Sequence, residues 1–111
     1  FGAAIHNTEG ILDYIHSDVW GPSKTALLGG KRYFVTFVDD FSRRVWVYTM
    51  KTKDEVLSIF LIWKRLVERQ TGKTIKCLRT DNGGEYKSDP FMKICSDEEI
   101  MRYFSFRDTP Q

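Results

Sequence analysis

The spacing of apolar residues changes period once, near residue 52, and that change constrains the layout of the whole chain. Before it the apolar runs are short and β-type. Tyr33, Phe34, Val35, Thr36, Phe37 and Val38 follow one another without a break, as in strands buried on both faces. Val45-Trp46-Val47-Tyr48-Thr49-Met50 is a second such run. The polar segment Asp39-Asp40-Phe41-Ser42-Arg43 between them is short, which predicts an antiparallel hairpin. After the change, Val56, Ile59, Phe60, Trp63 and Val67 recur at helical spacing, with Leu66 widening the stripe. Thr52 and Glu55 have the spacing of a capping box, and Gly72 is a helix stop. Residues 53–70 are therefore predicted as one helix.

The flanking segments complete the pattern. Residues 11–20 are predicted as a first strand ending its apolar run at Asp18, with Gly21-Pro22-Ser23 as the break. Leu28-Gly29-Gly30-Lys31 is a second, Gly-rich turn. A strand is expected over 74–80, closed by a tight Asn82-Gly83-Gly84 turn whose glycines allow positive φ. Asp89-Pro90 has the form of an N-cap and first helical position, opening a short helix to about Cys95. Met101-Arg102-Tyr103-Phe104-Ser105-Phe106 is a last strand. The order β-β-β-α-β-α-β predicts an α/β fold. It is a five-stranded mixed sheet, three antiparallel strands and then strands separated by helices, flanked by those helices. Residues 1–10 have no clean period and are assigned to an arm or linker, and residues 11–111 to a single domain.

Bulk properties exclude several classes. A chain of 111 residues that is 41% hydrophobic and 14% aromatic has material for a packed core. The net charge of +2 is too small to establish nucleic-acid binding. No segment approaches the ~20 apolar residues of a membrane span, and no signal-peptide pattern opens the chain. Cys77 and Cys95 stand singly, which leads us to expect reduced thiols and an intracellular setting. A first residue that is not Met suggests a piece of something longer.

The chemistry is concentrated in two acidic blocks. In Ile75-Lys76-Cys77-Leu78-Arg79-Thr80-Asp81-Asn82-Gly83-Gly84-Glu85-Tyr86 an apolar run ends in a carboxylate followed by glycines. Ile11-Leu12-Asp13-Tyr14-Ile15-His16-Ser17-Asp18 repeats that grammar. A carboxylate at the carboxyl edge of a sheet lies where ligands collect in α/β folds. Divalent cations such as Mg²⁺ take oxygen ligands, often one or two carboxylates with waters and phosphates. A strand-helix-strand crossover would bring Asp18 and Asp81 to one edge as a shared metal pair. Asp39 and Asp40 are read as turn residues, His16 as a packed or edge histidine, and Trp63 as core.

Leu12–Pro22, Tyr33–Arg43 and Leu78–Tyr86, with Thr109-Pro110-Gln111 after them, are in order and at spacing similar to retrotransposon integrases of the copia (Pseudoviridae) type. The resemblance runs over the whole chain. It implies an RNase H-like fold and a DDE polynucleotidyl transferase that uses Mg²⁺ (or Mn²⁺) for 3′-end processing and DNA strand transfer. Asp18 matches the family's first carboxylate and Asp81 its second, as catalytic and metal-ligating residues. Asn82, Gly83 and Lys87 are the candidates for DNA contact, with a plain turn or solvated surface as the competing reading. Lys76 and Arg79 are open in the same way. The third carboxylate of the family falls beyond Gln111, so the resemblance implies a core truncated before it, weak metal binding and little or no activity alone. Glu85 matches a position of its own and is not expected to replace it. Asp97-Glu98-Glu99 is read as a solvated helix end. Glu99 stands where the family often has Gly, at a left-handed position. His6 is assigned to a linker.

The implied partners are DNA, and a homodimer mate or fused domain covering a sheet face left exposed. No membrane is implied, and the location is nuclear. The alternative is a domesticated, non-catalytic interaction or nucleic-acid-binding module. A plain RNase H-type nuclease shares the fold and metals but not the three blocks.

Overall fold

The computed structural model describes residues 10–23 and 30–105. The chain runs β1 (Ile15–Trp20), β2 (Tyr33–Asp39), β3 (Val45–Met50), a 3-10 turn (Lys53–Glu55), α1 (Val56–Thr71), β4 (Cys77–Asp81), α2 (Gly84–Lys87), α3 (Asp89–Asp97) and β5 (Met101–Ser105). One five-stranded sheet has the order β3-β2-β1-β4-β5. β1 with β2 and β2 with β3 are antiparallel; β1 with β4 and β4 with β5 are parallel. This is the mixed sheet the period change predicts. The Gly-rich turn at Leu28 and Gly29, the arm with His6, Phe106 and the Thr109-Pro110-Gln111 block lie outside the described residues.

Several boundaries differ for local reasons. The first strand starts at Ile15 instead of residue 11, because Leu12 takes the left-handed conformation (φ 70). Its N–H is held by Asp39 Oδ1 at 2.8 Å and its carbonyl by Lys76 N at 3.1 Å. The strand also runs on past Asp18 to Trp20, so Asp18 is not its end. The strand expected over 74–80 is Cys77–Asp81, and Asp81 does end it. The predicted Asn-Gly-Gly turn is instead the entry to α2: Gly83 has φ −60, and Gly84 is the first helical residue. Ser88, not Asp89, caps α3, accepting from Phe91 N at 3.3 Å.

The helix ends follow their local codes. Glu55 Oε2 accepts from Thr52 N at 3.0 Å and from Lys51 N at 2.9 Å, closing the capping box. Gly72 ends α1 at φ 72. α3 ends in a Schellman motif, with Glu99 N on Ser96 O (3.1 Å) and Ile100 N on Cys95 O (2.8 Å). Its left-handed residue is Glu99 at φ 58. A Cβ there costs on the order of 1 kcal/mol, which Gly would not incur. Glu99→Gly is expected to raise the unfolding free energy by about 1 kcal/mol, measured by urea denaturation.

α1 packs its stripe of Val56, Phe60, Trp63 and Val67 on one face of the sheet. Trp63 stacks on Phe37 with centroids 4.2 Å apart and meets Trp46 edge-on at 5.5 Å. Leu66 does not widen the stripe: it is exposed, as are Leu61 and Ile62. Lys64 takes the buried flank instead, donating to Glu68 at 2.9 Å and Glu98 at 2.6 Å. Burial lowers the Lys64 pKa, but the two carboxylates outweigh it and leave it raised. Both cysteines are free thiols, and burial raises each above its ordinary pKa. Among the described residues no helix is long and apolar enough to cross a membrane.

Candidate metal and active site

The site grows from one register. β1 and β4 are parallel neighbours, paired at Ile15↔Leu78 and His16↔Arg79. Three residues on from Ile15 is Asp18, and three on from Leu78 is Asp81. Carried three residues on, the same register puts the two carboxylates level on adjacent parallel strands, Asp81 at the end of β4 and Asp18 two residues before the end of β1. From β1 the chain leaves toward β2 on one side, and β4 continues toward β5 on the other. Ligands bind in α/β sheets at such switch points. Successive side chains of a strand alternate faces. Ser17 and Thr80 are buried on the core side, so the half-buried Asp18 and Asp81 fall on the other side of their strands.

Asp81 begins a turn in which Gly83 N donates to its Oδ1 at 2.8 Å. The glycine is there for space. A Cβ at Gly83 would run into Glu85 Oε2 and stand 3.0 Å from Asp81 Oδ1. At Gly84 a Cβ would meet nothing within 4 Å. Gly83→Ala is expected to push the Glu85 carboxylate aside and crowd Asp81. Its effect should appear as shifted amide signals at Asp81 and Glu85, with a loss of stability below about 1 kcal/mol.

Behind the carboxylates lies Tyr86, fully buried on α2. Its hydroxyl and Ser17 Oγ are 2.8 Å apart in a buried hydrogen bond. Burial drives the phenol pKa far above its ordinary value, and the hydrogen bond with Ser17 opposes this. The charges of Asp18, Asp81 and Glu85 add to the rise, so all three carboxylates lie within electrostatic reach of one hydroxyl. The phenol keeps its proton at any working pH. Sequence reasoning missed this pair. The available signal was a hydroxyl residue in each acidic block, Ser17 before Asp18 and Tyr86 after Asp81.

The other candidates are placed as follows. Asn82 accepts from Lys87 Nζ at 3.3 Å, and Lys87 also lies over the Phe104 ring at 5.2 Å. Lys76 is drawn to Asp13, 3.5 Å away, and Arg79 hydrogen-bonds Tyr14. His16 Nε2 lies 3.0 Å from Asp40 Oδ1. Asp39 is fully buried and accepts from Leu12 N and Ser42 N, both at 2.8 Å, a structural role. Among the described residues no group of three or more His, Cys, Asp or Glu is arranged to hold an ion.

The donor chemistry of the pair fits a divalent cation. Two hard carboxylates lie level on adjacent parallel strands, and the absence of a Cβ at Gly83 leaves room beside Asp81 that the Glu85 carboxylate shares.

Comparison with known proteins identifies the family and agrees with the fold. The model of the integrase core domain family matches residues 12–110, so the chain belongs to that family. Among its relatives is the retrovirus-related Pol polyprotein from transposon TNT 1-94 of Nicotiana tabacum. It is 50% identical over 101 residues, covering 91% of this chain and 8% of the relative. The Pol polyprotein from transposon RE2 of Arabidopsis thaliana is 45% identical over 75 residues, covering 68% of this chain and 5% of the relative. The chain thus spans under a tenth of the length of these curated relatives. Among solved structures, the HTLV-2 integrase catalytic core domain in complex with magnesium, in its trimeric form, superposes with a TM-score of 0.64 at 23% identity. The match covers 84% of this chain and 59% of that one. The fold is RNase H-like, as the three sequence blocks imply.

Proposed function

We propose that this chain is the part of a copia-type retrotransposon integrase core that carries the first two active-site carboxylates. The observation that carries the reading is the β1–β4 register, which carried three residues on puts Asp18 level with Asp81. Membership of the integrase core domain family and the similarity to transposon Pol polyproteins support it. The substrate class is DNA, as element ends and target, and the place of action is the nucleus. Asp18 and Asp81 would hold the cation, and the magnesium complex of the HTLV-2 core supports that choice of metal. A bound Mg²⁺ supplies positive charge where a phosphodiester develops negative charge.

The chain's own residues do the rest by positioning, which dominates phosphoryl transfer. The paired strands β1 and β4 carry the two carboxylates. Gly83 keeps side-chain bulk away from Asp81. Asn82 and Lys87, joined by their hydrogen bond, present an amide and an ammonium beside the site for a DNA phosphate. The proposed reaction is attack on a phosphodiester by water or by a DNA 3′-hydroxyl.

The test is a graft. This chain replaces the matching segment in the integrase of the TNT 1-94 polyprotein, and strand transfer into a labelled duplex is assayed with Mg²⁺ and Mn²⁺. Joined products support the reading. Robust joining that survives Asp81→Asn overturns the assignment of the carboxylates. A graft that folds and binds metal but joins nothing favours the non-catalytic module.

A further inference from the structure

We infer that the buried Ser17–Tyr86 hydrogen bond is the clasp that sets the separation of Asp18 and Asp81, which makes both hydroxyl residues positioning residues for the divalent cation. The inference rests on the metal-site reading above and deepens it.

The need for a clasp comes from the sheet. Hydrogen-bonded pairing between β1 and β4 is formed at Ile15↔Leu78 and His16↔Arg79, and both carboxylates lie beyond it. Past that point β1 is held by β2, with Asp18 opposite Thr36, and β4 by β5, with Asp81 opposite Ser105. The β1–β4 register pairs stop two residues short of both carboxylates, so a side-chain contact at this place bears directly on the distance between them. The Ser17–Tyr86 contact spans this place. Ser17 is the residue before Asp18, and Tyr86 sits on the short helix that the Asp81 turn feeds. The bond links segments 69 positions apart, is buried, and is 2.8 Å long.

A clasp must itself be rigid, and Tyr86 is. Its ring meets Phe91 edge-on at 5.7 Å. Its carbonyl accepts from Arg102 Nη1 at 3.2 Å, while Arg102 Nη2 donates to Thr80 Oγ1 at 3.2 Å. Arg102 thus fastens Tyr86 and the residue before Asp81 to the same guanidinium. The guanidinium lies over the Phe91 and Phe104 rings, at 5.0 and 4.6 Å from their centroids. Thr80 and Ser17, each preceding a carboxylate, are both tied to the Tyr86–Arg102 unit. Groups that orient metal ligands from behind typically change metal affinity 10–100-fold when removed.

The test is Mn²⁺ alone, titrated into this chain while paramagnetic broadening of the Asp18 and Asp81 amide signals is followed. Tyr86→Phe and Ser17→Ala should each raise the Mn²⁺ midpoint about tenfold. The double variant should be no weaker than either single one, because both remove one bond. Ser17→Thr, which keeps a hydroxyl, should return the midpoint toward that of the parent. A structural role alone would lower the melting temperature and leave the Mn²⁺ midpoint in place. Midpoints within twofold of the parent for Tyr86→Phe and Ser17→Ala, or losses that add in the double variant, overturn the clasp. If Asp81→Asn abolishes broadening while Tyr86→Phe does not change it, the clasp fails and the metal site stands. A parent chain unresponsive to Mn²⁺ removes both.

Discussion

Asp81→Asn is expected to lower strand transfer by the grafted core at least about a hundredfold, a loss of ~2.7 kcal/mol of transition-state stabilisation. The substitution is nearly isosteric. An amide oxygen still accepts from Gly83 N, whose bond to Asp81 Oδ1 is 2.8 Å, so the turn into α2 keeps its shape. Only the charge is lost, and charge is what a carboxylate contributes to a divalent cation and, through it, to a phosphoryl group. The variant should therefore melt with the parent and fail in the assay. Asp18→Asn should behave alike, since the register gives the two residues equivalent places on parallel strands. Asp40→Asn serves as the control, because Asp40 follows the end of β2 and its contact with His16 is toward the start of β1, on the far side of Asp18 from the end of that strand.

The second large effect is on stability. Asp39→Ala should lower the unfolding free energy by about 2–4 kcal/mol, read from urea or thermal denaturation. Asp39 is buried and accepts from two backbone N–H groups at 2.8 Å, those of Leu12 and Ser42. A buried donor left without its acceptor costs about 1–3 kcal/mol. Leu12 adds to this, because its left-handed backbone (φ 70) is held in place by the bond that the substitution deletes. The loss is a sizeable part of the roughly 5–15 kcal/mol that holds a domain together. Asp39→Asn keeps one oxygen acceptor and should cost less.

The contrast between these carboxylates shows what the sequence exposes. Asp81 was legible because its signals are local: an apolar run, a carboxylate, then glycines. The capping box at Thr52 and the stop at Gly72 are local codes too, and both occur as read. The left-handed Glu99 was also legible, through the family resemblance and its place after a helix. Asp39 looked like an ordinary turn residue because its main partner, Leu12, is 27 positions away. Leu12 carries no signature of a left-handed backbone, since that signature belongs to Gly and Asn, and so its apolar neighbours read as an early start to the first strand. Leu66 fitted a helical stripe by spacing, yet burial depends on how wide a face the sheet covers, and here Lys64 occupies the buried flank. The glycines after Asp81 suggested positive φ, whereas Gly83 is needed for the room beside two carboxylates. The Ser17–Tyr86 bond was out of reach for the same reason as Asp39: it is a long-range contact between side chains with no periodic signature.

The central claim is that Asp18 and Asp81 form one divalent-cation site. Titration of this chain with Mn²⁺, observed at the amide signals of both residues, tests it most directly. The account predicts that the two signals broaden together over one binding curve, and that Asp18→Asn or Asp81→Asn abolishes the response at both positions. Broadening at one residue only, or a response at both that survives either substitution, would contradict it.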